Sequence, residues 1–123
     1  MIRTHNLLDT EVTLEAGHRA WAAYEAQAGR SVLVATNLHA LWGAGISMVY
    51  EFGWGLSAKW RASHAPALSY ENWLDALPPI GSDSWNELHA KISDLVCLTF
   101  YGKDWAEMLA LLESTARAMK AAE

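Results

Sequence analysis

The chain has 123 residues, a formal net charge of −5, one cysteine, three prolines and seven tryptophans, with 52% of residues hydrophobic and 19% charged. That balance excludes a disordered chain, and a lone Cys97 excludes both an internal disulfide framework and a cysteine-rich zinc site. The acidic charge argues against an electrostatic nucleic-acid binder, which needs a basic face to displace phosphate counterions.

Taken in chain order, Met1-Ile2-Arg3-Thr4-His5-Asn6 has no apolar run behind its arginine and does not read as a secretory signal. Strand-like alternation is confined to Thr10–Leu14. A helix is expected from about Thr13 to Ala28, because Leu14, Gly17, Trp21, Tyr24 and Ala28 recur at three- and four-residue intervals. Thr13 would cap its start, and Gly29 suits the left-handed residue after its end. From Val32 to Tyr50 the chain carries no formal charge over a membrane-spanning length. Thr36, Asn37, His39, Ser47, Gly43 and Gly45 interrupt that run, and no basic cluster orients it, so a core segment is expected rather than a span. Within it Leu38, Leu41, Trp42, Ile46, Val49 and Tyr50 keep helical spacing. Gly43 and Gly45 either weaken that helix or let a neighbour approach closely.

The run Tyr50-Glu51-Phe52-Gly53-Trp54-Gly55 predicts a break, with a helix resuming from Leu56 to His64 and ending before Pro66. Ser69 to Leu77 predicts a short helix capped by Ser69, stopped by Pro78-Pro79 and followed by a turn at Gly81-Ser82-Asp83. Ser84 and Glu87 have the spacing of a capping box for the next helix, whose face is Trp85, Leu88, Ile92, Leu95, Val96 and Thr99. After Gly102 a last helix opens at Asp104 and carries Trp105, Met108, Leu109, Leu112, Ala116 and Met119 in one stripe. The expected fold is a compact all-α single domain over residues 1–123, with four to six helices and one short N-terminal strand at most. No repeat or linker divides it, and a reducing cytoplasm is the expected compartment.

Chemistry is sparsely marked. Glu15 and His18 have a Glu-x-x-His spacing, but none of His39, His64 or His89 repeats it, so a solvated pair is expected in place of a metal site. Cys97 lies among apolar neighbours, where a thiol behaves as a small buried hydrophobe. Neither a Gly-x-Ser-x-Gly elbow nor a phosphate-binding loop is present. No catalytic residue, metal ligand or cofactor is therefore assigned. Trp21, Trp42, Trp73, Trp85 and Trp105 fall on apolar helix faces and read as core. Tyr50, Phe52, Trp54 and Trp60 crowd a glycine-interrupted stretch, and they are either a core plug or an exposed patch that binds a protein partner or a second copy.

Two segments resemble the tail assembly chaperones of long-tailed bacteriophages and gene-transfer-agent clusters. Arg19-Ala20-Trp21-Ala22-Ala23-Tyr24-Glu25-Ala26-Gln27-Ala28-Gly29-Arg30-Ser31 is similar to that family's alanine/leucine-rich helix followed by an acidic residue and Gly-Arg/Lys-Ser. Leu68-Ser69-Tyr70-Glu71-Asn72-Trp73-Leu74-Asp75-Ala76-Leu77 is similar to its Leu-Ser/Thr-aromatic-Glu-x-aromatic-Leu-Asp helix. The two cover about a third of the chain. Members often begin with a β-hairpin, for which this sequence offers only Thr10–Leu14, and the Tyr50–Gly55 stretch has no counterpart. The resemblance implies a non-catalytic protein that binds a tape-measure protein and delivers tail-tube subunits, while the charge and the interrupted apolar run argue against nucleic acid and membrane as partners. Two alternatives from other classes are a small acidic protein that inhibits a host defence complex and a small enzyme.

Overall fold

The computed structural model describes residues 1–7, 9–35 and 45–122. Two antiparallel strands, β1 (Ile2–Leu7) and β2 (Thr10–Glu15), precede a helical body. Among the described residues the helices are α1 (His18–Ala28), the single turn α2 (Val32–Ala35), α3 (Ile46–Leu56), α4 (Ala58–His64), α5 (Tyr70–Asp75), α6 (Asp83–Tyr101) and α7 (Trp105–Ala121). The fold is thus mostly helical, but the all-α expectation is corrected by the hairpin.

The hairpin has a plain physical origin. Leu7 pairs with Thr10, and Asp9 between them takes φ 59°, a left-handed conformation that Asp tolerates in tight turns. Val12 and Leu14 of β2 turn inward and are fully buried, while β1 turns His5 and Leu7 inward. The helix expected from Thr13 therefore begins only at His18, and Thr13 lies mid-strand instead of capping. Glu15 and His18 consequently do not share a helix, and Glu15 pairs with Lys59 at 3.2 Å. The other end of α1 is as expected, with Gly29 at φ 71° donating to the Glu25 carbonyl.

The break expected at Tyr50–Gly55 is also corrected, because α3 runs through it to Leu56. Gly53 and Gly55 are buried contact points and do not interrupt the helix. A Cβ on Gly55 would stand 2.6 Å from the Ala20 carbonyl oxygen, and one on Gly53 would stand 2.8 Å from Ile92 Cδ1. Close approach, anticipated for Gly43 and Gly45, is realised two turns later. Gly45 has open space where its Cβ would be, and Gly43 lies outside the described residues with Thr36, Asn37, Leu38, His39, Leu41 and Trp42. Among the described residues no helix is long and apolar enough to cross a membrane.

The core gathers around this contact. Phe52 of α3 stacks on Tyr24 of α1 with ring centroids 4.1 Å apart, and Trp21 packs edge-on against Phe52 and at a tilt against Phe100 of α6. Leu14, Leu56, Trp73, Leu88, Ile92 and Leu95 are buried around them. Arg30 ties the end of α1 to α3, donating to Tyr24 Oη at 3.0 Å and to Glu51 at 2.7 Å. Ser69 caps α5 as expected, and Asp104 with Glu107 forms a capping box on α7. The cap of α6 is one residue pair earlier than the Ser84–Glu87 spacing suggests. Ser82 accepts the Trp85 N–H, which leaves the Ser84 hydroxyl free to reach β1.

Candidate partner-binding surface

The four aromatics singled out in the sequence go to three different places. Phe52 and Trp60 are core residues at 3% and 8% exposure, and Trp60 stacks its ring on His64. Trp54 is half-buried, edge-on to Tyr70 and Trp73, with the Arg61 guanidinium carbon 3.3 Å from its ring centroid. Tyr50 is half-buried on α3, and its hydroxyl accepts the Trp85 indole N–H at 2.9 Å. A continuous helix explains the division. Tyr50 and Trp54 are four residues apart and share a face, while Phe52 points to α1 and Trp60 follows after the Ser57 corner.

Tyr50 opens onto a groove of about 600 Å³ between α3, α5 and the turn that follows α5. Tyr70, Leu74, Leu77, Pro79 and Ile80 line it, and Ile80 is 67% exposed. Burial first, then the nearby Glu51 and Tyr50, push the Tyr70 phenol above its ordinary pKa, so its hydroxyl stays neutral and can donate. Such a groove offers apolar contact with two phenol hydroxyls as polar handles, the mixture enriched where proteins meet. Leu74 and Ile80 were not marked as site residues by periodicity. The available signal was an isoleucine immediately after Pro78-Pro79, in a turn with no helical face to bury it.

One polar cluster has the outline of a catalytic dyad. His5 Nε2 lies 3.0 Å from Ser84 Oγ, and His5 Nδ1 lies 3.1 Å from Lys91 Nζ. Its proton polarity is wrong for acyl transfer. An ammonium has only donors, so Nδ1 must accept and the imidazole proton sits on Nε2, where it donates to the serine oxygen. A serine nucleophile needs the reverse, with Nε2 free to take the hydroxyl proton and an acceptor orienting Nδ1. Burial first and Lys91 second hold His5 below the ordinary imidazole pKa, against an opposing pull from Glu87. The cluster joins β1 to α6.

Cys97 is buried, and desolvation, followed by Asp94 and Asp104, pushes its thiol up to about 11. Among the described residues no three His, Cys, Asp or Glu side chains are grouped to hold a metal ion. Comparison with protein families, with curated proteins and with solved structures finds no match to this chain.

Proposed function

We propose that the protein is a non-catalytic tail assembly chaperone, holding an apolar segment of a tape-measure protein until tail-tube subunits are delivered. The observation that carries this reading is a coincidence of place. The segment Leu68–Leu77, on which half of the resemblance rests, forms α5 and supplies Tyr70, Leu74 and Leu77 to the apolar groove. The hairpin before α1 adds support, because it supplies an opening element typical of that family. The His5–Ser84 polarity speaks against the small-enzyme alternative.

The reading expects tape-measure and tail-tube genes beside this one, and the test is co-expression with their products followed by affinity purification; the absence of such genes overturns it. The tape-measure protein is expected to co-purify. Leu74→Asp and Ile80→Asp should each weaken binding by about thirtyfold, the loss of one ~2 kcal/mol anchor, while both side chains are exposed enough to leave Tm nearly unchanged. Binding that ignores both substitutions, or capture of a host nucleic-acid-binding complex in place of tail proteins, overturns the proposal.

A further inference from the structure

Beside α3, α1 and α4 flank a second cleft of about 560 Å³, to which Trp54 of α3 contributes. Arg19 from α1 and Arg61 from α4 both line it, together with Gln27, Trp54 and a floor that includes Ala23 and Pro66. Arg61 is held rigidly. Its Nε donates to Ser57 Oγ and its Nη2 to the Trp54 carbonyl, each at 2.9 Å, and its plane lies over the Trp54 ring. These contacts use two of the five N–H donors of a guanidinium and leave three for another acceptor. The acceptor it lacks is an anion. Among the described residues Arg30, Lys59 and Arg117 each have a carboxylate within 4 Å; Arg19 and Arg61 do not, as is also true of Arg3, Lys91, Lys103 and Lys120, but of these six only Arg19 and Arg61 line this cleft.

A half-buried cation without a counter-charge is costly, and the cost shows in Arg61, whose pKa desolvation pulls down to about 10. In a chain with fourteen acidic and nine basic residues, a spare carboxylate could readily have been placed beside it. Instead a second uncommitted arginine faces the same cleft. A guanidinium fork matches planar oxyanions in bidentate fashion, and small apolar residues alongside give room for an organic body. Two guanidinium groups complement a ligand that carries one or two negative charges.

We propose that the Arg19–Arg61 cleft is a binding site for a small ligand that presents a carboxylate or phosphate group, with Trp54 and the alanine floor contacting its organic part. The site is independent of the groove at Tyr50 and stands or falls apart from it. Isothermal titration with phenylacetate and with phenyl phosphate tests both sources of the oxyanion. At least one is expected to bind one to one, and the better of the two identifies the head group.

Arg19→Gln should weaken that binding by about tenfold or more, the equivalent of one charge-assisted contact, without moving Tm. Arg61→Lys keeps the charge but loses the fork and should also weaken it. Arg117→Gln, a change at an exposed pair on α7, should leave it intact. Binding of neither probe, or binding that Arg19→Gln does not weaken or that Arg117→Gln weakens equally, overturns the proposal.

Discussion

At Gly55 a side chain is forbidden by a backbone. The nearest atom to an added Cβ would be the Ala20 carbonyl oxygen at 2.6 Å, followed by Tyr24 Cβ and Tyr24 N at 3.1 Å, and none of these can swing aside as a side-chain tip would. Alanine would gain up to about 1 kcal/mol of helix propensity over glycine, but forcing α1 and α3 apart costs more, typically about 1–3 kcal/mol for an overpacked core. Gly55→Ala should therefore lower stability on urea denaturation. Gly53→Ala should be milder, since it meets the flexible end of Ile92. Equal stability of Gly55→Ala and the wild-type chain would contradict this account. The same glycines show why local propensity misjudged α3. Their entropic cost is visible in sequence, but the neighbours that require them, Ala20 and Tyr24 of α1 for Gly55 and Ile92 of α6 for Gly53, are distant in the chain and meet them only on folding. A continuous stripe through Val49, Phe52, Leu56 and Trp60 was the better guide.

Among the helices of the described residues, α7 buries the smallest share of its residues. It spans about 25 Å at 1.5 Å per residue, and Met108 is its one buried residue. Its start is well fixed: the Asp104–Glu107 capping box closes the first turn, and Asp94 of α6 accepts the Trp105 N–H at 2.8 Å. Farther along, Leu111 and Met119 are 46% and 68% exposed. Met108→Ala should cost about 2–5 kcal/mol, as large-to-small core changes do. Leu111→Ala and Met119→Ala should fall within about 0.5 kcal/mol of wild type, and denaturant midpoints for the three variants check the contrast. Periodicity made the stripe Trp105–Met119 legible, including the cap. It could not reveal that the distal half lacks a neighbour among the described residues, because a repeat defines a face and says nothing of what lies opposite.

For the whole molecule, the order of helices was readable from caps, prolines and apolar spacing, and the hairpin was only half so. Of the β1 side chains turned inward, His5 is polar and only Leu7 is apolar, while Ile2 points out, which inverts the usual strand signal. The surface was less legible still. Crowded aromatics marked the right neighbourhood, but the paired arginines and the groove residues converge from separate helices and leave no local pattern. The placement of Cys97 carries a consequence for kinetics. A thiol at 1% exposure, with its pKa raised to about 11, is both shielded and protonated at neutral pH, so any thiol reagent must wait for the protein to open. Modification of native protein by a disulfide reagent should run roughly 10³-fold or more slower than that of the urea-unfolded chain, in keeping with ordinary domain stability. Met108→Ala should speed it in proportion to its lost stability. A native rate equal to the unfolded one would place the thiol at the surface. The single cysteine thus serves as a built-in clock for unfolding, read without any added label on the fold itself.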